Sequence, residues 1–116
     1  MALNVLGTAN AVAQAWADLG ATYSLHTGNP GSSGTANEAT GGGYTRQTTT
    51  WGAPSNGKIT GSQMTFNVAA GDYTHMCRWN GTTLRDIIDT VDAEVSPDGE
   101  IKVTPSSGDA LYSAWV

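Results

Sequence analysis

Charged side chains are scarce in this chain of 116 residues. Asp, Glu, Lys and Arg together make up 13% of the residues, about half of the share in an average soluble domain. The chain has five Lys and Arg residues against ten Asp and Glu, so its net charge is −5. No basic patch is available, so we expect no binding to nucleic acid. Thr, Ser, Gly and Ala fill the gap, a composition typical of β-structure with turns.

Cysteine and long apolar runs are nearly absent as well. Cys77 is the single cysteine, which excludes a disulfide within the chain. No apolar run approaches the roughly 18 residues that a membrane-spanning helix needs, so we expect no association with a membrane. The N-terminus also lacks a basic segment followed by an apolar core, so we expect no signal peptide and a soluble, non-secreted protein.

One helix is predicted near the N-terminus, at residues 8–19. Thr8 is suited to be its N-cap, and Gly20 stands where many helices end in a left-handed glycine. The apolar residues recur at helical spacing around Trp16, and the many alanines favour a helix. The apolar stripe is narrow, so the helix needs a partner surface, with Trp16 as its anchor.

Short alternating patterns after Gly20 predict strands at 21–27, 44–51, 63–68 and 73–79. Residues 83–95 fit a helical stripe as well as a strand. The β-branched content and the neighbouring strands favour a strand there. The turn Ser96-Pro97-Asp98-Gly99 would then join 91–95 to 100–104 as a hairpin.

These patterns predict one mainly β domain spanning residues 1–116. Its fold class would be a small antiparallel β-sandwich or barrel with one short N-terminal helix and a long ordered loop. An N-terminal arm and helix (1–20), a β-core (21–104) and a C-terminal tail (105–116) would follow one another. Met64, Phe66, Trp51 and Trp79 are the expected core anchors.

The sequence offers no convincing catalytic, cofactor or metal site. His26, His75 and Cys77 are the only soft metal ligands, and His75 and Cys77 supply two ligands on one strand face rather than a closed set of four. No Gly-x-Ser-x-Gly nucleophile elbow occurs, and the acidic residues between 86 and 100 match no EF-hand spacing. We therefore expect neither an enzyme nor a bound cofactor or metal.

The segment 24–47 is nevertheless unusual. Asn29-Pro30-Gly31 is a strong turn signal, and residues 32–43 are small and polar and end in three glycines. Long loops within a compact domain are uncommon and are often functional. We expect an ordered loop of the Ω type, locked by side chains, with an ion pair between Glu38 and Arg46 as the specific prediction.

The run LHTGNPGSSGTANEATGGGYTRQTTTWG resembles a family of small tailed-bacteriophage virion proteins. Its pattern is Leu-His-Thr, a Pro-Gly turn, Ala-Asn-Glu, glycines, Tyr-x-Arg and a Trp or Phe strand. The later run MTFNVAAGDYTHMCRWN is similar to the family's strand–Ala-Gly–strand unit. The resemblance covers about residues 12–80, and its matching positions are Leu25, His26, Thr27, Pro30, Gly31, Ala36, Asn37, Glu38, Gly42, Gly43, Tyr44, Arg46 and Trp51.

The resemblance implies a virion structural protein made in the host cytoplasm. Some members are described as tail-fibre or minor tail proteins and others as capsid decoration or minor capsid proteins. The chain shows no repeat or coiled coil for a fibre shaft, which favours decoration on the capsid exterior. The leading hypothesis is thus a protein that binds and stabilises the shell of major capsid protein and forms a homo-oligomer, with a trimer as the expected form.

Two alternatives stay open. The first is a tail-fibre or minor tail protein that binds a host-surface glycan. The second is a small hydrolase that uses His26 or His75. Under the leading hypothesis, partner contacts would come from the apolar termini and the loop, namely Leu3, Val5, Leu6, Asn29, Pro30, Asn37, Leu111, Tyr112, Trp115 and Val116.

Overall fold

The computed structural model describes residues 6–89, 93–95 and 97–107. Within them, one helix precedes eight strands. The helix is α1 (Leu6–Asp18), and the strands are β1 (Thr22–His26), β2 (Gln47–Thr48), β3 (Met64–Val68), β4 (Gly71–Tyr73), β5 (His75–Asn80), β6 (Thr83–Ile88), β7 (Ala93–Val95) and β8 (Gly99–Val103).

The strands form antiparallel sheets. Four of them make the main sheet in the order β2-β1-β5-β6, while β3 pairs with β8 and β4 pairs with β7. The predicted fold class, mainly antiparallel β-structure with one short helix, is confirmed. No helix within the described residues has the length and apolar character needed to cross a bilayer.

The ends of α1 differ from the prediction. The helix begins at Leu6, so Thr8 lies inside its first turn and is not the N-cap. Gly20 follows the last turn, yet it is absent from the glycines with positive φ. Gly20 instead lets the chain after α1 pass close to the backbone of β5, because a Cβ at this position would lie 2.5 Å from the carbonyl oxygen of Trp79. A glycine is needed there for packing between helix and sheet rather than for a left-handed turn.

The strand predicted at 44–51 is reduced to β2, Gln47–Thr48. Residues 44–46 belong to the preceding loop, where the side chains of Tyr44 and Arg46 bond to Glu38, and side-chain bonds of the threonine run mark the other end of the strand. The Thr49 hydroxyl donates to the carbonyl oxygen of Ser62 at 2.7 Å, and the Ser62 hydroxyl accepts from the Thr50 amide at 2.9 Å. The Thr49 amide still donates to the Ala21 carbonyl oxygen at 2.9 Å, but the Thr50 amide bonds to a side chain and no longer to the sheet.

Residues 83–88 and 93–95 are strands, as predicted, but the hairpin of 91–95 with 100–104 is wrong. β7 pairs with β4 and β8 pairs with β3. In the latter pair Phe66 lies opposite Ile101, and both are buried. Burial of apolar faces across long sequence distances therefore decides the pairing, and the local turn does not.

The predicted strand 73–79 is divided at Thr74, whose amide donates to the carbonyl oxygen of His26 at 3.0 Å. The core lies in two clusters. The larger one joins the main sheet to β3 and β8, and the smaller one packs α1 on Ile59. Met64, Phe66 and Trp79 are buried, as expected, and half-buried Trp51 contacts the edge of Trp16 at 5.2 Å between ring centroids.

Candidate functional site

The loop between β1 and β2, residues 27–46, is the most elaborate part of the described chain. We refer to it as the β1–β2 loop. It folds back on β1, because the Thr27 amide donates to the Asn37 carbonyl oxygen at 2.9 Å and the Ala39 amide donates to the Leu25 carbonyl oxygen at 2.9 Å. Residues 37–39 thus extend the sheet beside the end of β1, and the loop is ordered by backbone bonds.

The tip of the loop is held by tight turns. The Asn29 side chain accepts a hydrogen bond from the Gly31 amide at 2.8 Å, an Asx turn. The Pro30 carbonyl accepts from the Ala36 amide at 3.0 Å, and the Asn37 side chain donates to the Asn29 carbonyl at 3.0 Å. Gly31 has φ 73° and Asn37 has φ 60°, conformations that Gly and Asn adopt most readily.

The base of the loop is fixed by three side chains, Glu38, Tyr44 and Arg46, which we call the Glu38 lock. Arg46 donates two hydrogen bonds to the Glu38 carboxylate, from Nε at 2.9 Å and from Nη2 at 3.0 Å. The Tyr44 hydroxyl donates to Glu38 at 2.8 Å and accepts from the Leu25 amide at 3.0 Å. The lock therefore ties the loop to the backbone of β1.

The charges in the Glu38 lock stabilise one another. The hydrogen bond from Arg46 holds the pKa of Glu38 below its ordinary value, and the same bond raises the pKa of Arg46. Burial, reinforced by the bond to Glu38, raises the pKa of Tyr44. At neutral pH the lock is thus an ionised pair with a neutral phenol, the pattern of a bidentate Arg–carboxylate bridge.

Arg46 also connects the loop to the face of the main sheet. Its guanidinium lies 4.3 Å from the centre of the Trp79 ring, a cation–π contact. Gly34 at the loop tip packs against the same ring and against Leu84, where a Cβ would come within 2.8 Å of the Leu84 side chain. The loop covers Trp79, which is only 4% exposed.

A buried polar chain runs beneath the loop through Trp79, Ser24 and His26. The Trp79 indole donates to the Ser24 hydroxyl at 2.9 Å, and Ser24 lies 2.8 Å from His26 Nε2. His26 Nδ1 lies 2.8 Å from the Ala36 carbonyl oxygen. A carbonyl can only accept, so Nδ1 carries the hydrogen and Nε2 accepts from Ser24. This tautomer satisfies every member of the chain.

The Ser24–His26 distance is within the range of a nucleophile–base pair. Both side chains are fully buried, however, with 0% exposure. The Ser24 hydroxyl also accepts a hydrogen bond from the Trp79 indole, and His26 Nδ1 is bonded to the Ala36 carbonyl oxygen. The arrangement positions the loop tip over the sheet, and neither side chain is exposed to solvent in this structure.

The other predicted chemistry-bearing side chains, His75 and Cys77, lie on β5, where Cys77 is paired with Ser24 of β1. His75 is half-buried, with Nε2 3.2 Å from Asp89 and Nδ1 2.8 Å from the Thr74 hydroxyl. Cys77 is fully buried, and burial raises the pKa of its thiol. No group of three or more His, Cys, Asp or Glu side chains among the described residues could hold a metal ion.

A buried cation that no sequence pattern singled out joins α1 to the main sheet. Arg78 is 1% exposed and donates from Nε to Asp86 at 2.6 Å. Its Nη1 donates to the carbonyl oxygens of Trp16 at 2.7 Å and Gly20 at 3.2 Å. These carbonyls belong to the C-terminal end of the helix, where a cation is favoured. The available signal was the alternation of β5, which places Arg78 on the same face as buried Met76.

The predicted contact residues fall into three groups. Leu3, Val5, Leu111, Tyr112, Trp115 and Val116 lie outside the described residues, and Leu6 is the first residue of α1. Asn29 and Asn37 are exposed, with side chains bonded inside the loop. Pro30 is fully buried, so it packs the loop and offers no surface to a partner.

Comparison with known proteins gives one family. Residues 6–86 match the family described as "Podophage GP4 fiber I protein gp80". The matched region runs from the start of α1 into β6 and contains the whole β1–β2 loop. No curated protein and no solved structure matches the chain.

Proposed function

The chain belongs to the family of the podophage GP4 fibre I protein gp80, and from this premise we propose that it is a structural component of the phage tail fibre. Membership in a phage fibre family makes it a virion component. The family match over residues 6–86 is the observation that carries the tail-fibre proposal. It favours a tail location over the capsid exterior, which the sequence resemblance and the absence of a repeat or coiled coil had favoured.

We further propose that the β1–β2 loop is the surface that contacts a host-cell glycan. The loop is pre-organised by the Glu38 lock and by the Trp79–Ser24–His26 chain. A rigid loop loses little conformational entropy on binding, so weak polar contacts can add up to useful affinity. Its ordering thus favours recognition by a fixed surface.

The exposed groups of the loop suggest the ligand class. Residues 27–37 carry no charged side chain, and apart from Ala36 their exposed side chains are hydroxyls and amides. The Ser33 and Thr35 hydroxyls lie 2.9 Å apart and face the same part of the surface. Every aromatic ring among the described residues is buried or half-buried. Recognition would therefore rest on hydrogen bonds to a neutral polysaccharide rather than on stacking against sugar rings.

Capsid decoration remains the second candidate. It is favoured by the short strands and by a sequence without the repeats or heptads of a fibre shaft. In that case the partner would be the major capsid protein, and the protein would form a homo-oligomer on the shell.

Locating the protein in purified virions decides between these candidates. We expect immunogold label or cryo-EM density on the tail fibres, with tens of copies per virion or fewer. Label on the shell with hundreds of copies would overturn the fibre proposal in favour of decoration. A deletion phage should adsorb poorly; normal adsorption combined with loss of DNA on heating would point to the shell as well.

The glycan proposal needs its own test. Purified protein would be measured for binding to host cells and to their extracted surface polysaccharide. We expect Ser33→Ala with Thr35→Ala to reduce binding several-fold, because each lost hydrogen bond costs about 0.5–1.5 kcal/mol. Thr82→Ala, an exposed hydroxyl in the β5–β6 turn, is the matched control. Equal binding by the loop variant and the control would contradict the role of the loop while leaving the tail location intact.

A further inference from the structure

Strand β6 has one unpaired edge. It pairs with β5 on one side, and among the described residues no strand pairs with its other side. Within the described part of the chain, the backbone N–H and C=O groups on that side have no strand partner, so they form an edge of the kind to which a further strand can add. Such an edge is a template for pairing with a second chain, unless its side chains prevent it.

The side chains of this edge alternate in a simple way. Arg85, Ile87 and Asp89 are exposed, whereas the residues between them are half-buried. Ile87 is 45% exposed, one of two large apolar side chains exposed to this degree among the described residues. A cation, an apolar residue and an anion thus follow one another at every second position on one face, with Asp89 one residue past the end of β6 and 3.2 Å from His75 Nε2 of its own chain.

This order is self-complementary in one antiparallel arrangement. A two-fold axis normal to the sheet at Ile87 places Ile87 opposite its own copy. The same axis places Arg85 opposite Asp89 of the second copy, and Asp89 opposite the second Arg85. Opposite charges directly across from each other stabilise a strand pair, and like charges destabilise it. An axis at Arg85 or at Asp86 would instead place that charge against itself.

We propose that a second copy of this chain binds along β6 in this register. The two four-stranded sheets then form one continuous sheet across the dimer, with Ile87 buried at its centre and two Arg85–Asp89 ion pairs flanking it. The arrangement is isologous, as most homodimers are. This inference does not depend on the location of the protein in the virion.

The interface is small. It joins one short strand from each copy, less than the roughly 1,200 Å² of a stable standard-sized complex. We therefore expect a dimer that forms at micromolar or higher protein concentration and dissociates on dilution. Salt should weaken it, since the two ion pairs lie at the surface.

Cysteine cross-linking tests the register. We expect Ile87→Cys to form a disulfide-linked dimer under mild oxidation, because opposed residues in antiparallel strands have Cα atoms about 4.5–5.5 Å apart. Arg85→Cys should not cross-link to itself, since two equivalent positions would be about 14 Å apart along the strands at about 3.4 Å per residue. The wild-type chain is the blank, because Cys77 is fully buried.

Charge reversal tests the ion pairs. By sedimentation equilibrium, Arg85→Asp and Asp89→Arg should each weaken the dimer about 10- to 30-fold, as two favourable pairs become two repulsive ones. The double variant should restore the wild-type dissociation constant. Lys102→Asp, an equal change of net charge at an exposed residue of β8, is the control, and circular dichroism confirms that each variant is folded.

Several outcomes would overturn the proposal. A monomer at millimolar concentration would mean that charges merely protect the edge or that the chain's own end covers it. A trimer, equal cross-linking of Ile87→Cys and Arg85→Cys, or a double variant as weak as the single ones would exclude this register.

Discussion

Removing the charge of Glu38 is the sharpest test of how the β1–β2 loop is held. Glu38→Gln keeps the shape of the side chain and one carbonyl oxygen, but it loses the charge that attracts Arg46. Its amide nitrogen is a donor in place of an acceptor oxygen, so at least one bond from Arg46 or Tyr44 is lost and the remaining ones are made to a neutral acceptor. The loop should remain in place and become less stable.

The burial of the pair sets the magnitude. Hydrogen bonds to charged groups contribute about 1.5–3 kcal/mol, whereas exposed ion pairs contribute about 0.2–1 kcal/mol. The side chains of Arg46 and Glu38 are 33% and 25% exposed, between these limits. We expect Glu38→Gln to lower the free energy of unfolding by about 1–2 kcal/mol, and Glu38→Ala by about 2–3 kcal/mol. For a domain of this size, the first value corresponds to a fall in Tm of about 4–10 °C.

The effect should depend on pH in a defined direction. Arg46 holds the pKa of Glu38 below its ordinary 4.5. A carboxyl group with a lowered pKa in the folded state stabilises the fold above its unfolded pKa, and that contribution is lost as the pH falls through the folded pKa. The difference between wild type and Glu38→Gln should thus be constant from pH 7 to 5 and shrink below about pH 4.5.

Urea denaturation at several pH values, followed by circular dichroism, measures this difference directly. Glu100→Gln, an exposed carboxyl group on β8, is the matched control and should be nearly neutral at pH 7. The reasoning is refuted if Glu38→Gln unfolds with wild type at pH 7. It is equally refuted if the stability difference persists unchanged at pH 3.

Three further predictions concern the packing around the site. Arg78→Met should cost about 2–4 kcal/mol in urea denaturation, because it removes charged hydrogen bonds to the Trp16 and Gly20 carbonyl oxygens and leaves Asp86 without its buried partner; a loss as small as that of the exposed control Lys102→Met would contradict the role of Arg78. Gly42→Ala should destabilise the protein far more than Gly41→Ala. Both glycines have positive φ, but a Cβ at Gly42 would overlap the backbone nitrogen of Ala69, whereas a Cβ at Gly41 would lie 3.6 Å from the Ala69 side chain. Equal melting temperatures of the two variants would disprove this. The Cys77 thiol, buried and with a raised pKa, should react with a thiol reagent only on unfolding, and rapid reaction in the native protein would show otherwise.

Local patterns predicted the parts of the fold that local physics decides. The sequences of β1 and β3 alternate between apolar and polar residues, and β1 also follows Gly20. Both strands lie within the ranges predicted for them, 21–27 and 63–68. Pro30-Gly31 forms the turn that its backbone preferences demand. Residues 83–88 could be recognised as a strand because their β-branched content and their context outweighed a helical spacing.

Long-range choices were beyond such patterns. The turn at 96–99 suggested a hairpin, but β8 instead pairs with β3 to bury Ile101 opposite Phe66. Arg78 is buried only because Asp86 and the end of α1 happen to meet it in space. In the loop, the Glu38–Arg46 pair was predictable from two opposite charges in a polar segment. The buried chain of hydrogen bonds through Trp79, Ser24 and His26 could not be predicted, because Trp79 is 55 residues from Ser24 in sequence and meets it only in the folded sheet.

The contact of Arg78 with the end of α1 also bears on how the protein unfolds. A fragment that begins at residue 21 would keep the guanidinium but lose two of its carbonyl acceptors and the Trp16 ring that lies 4.1 Å from it. Of these contacts, the cation would then keep only the ion pair with Asp86. We therefore expect helix and main sheet to unfold in a single transition. Removal of residues 1–20 should destabilise the main sheet, because β5 loses the contacts of Arg78 with Trp16 and Gly20.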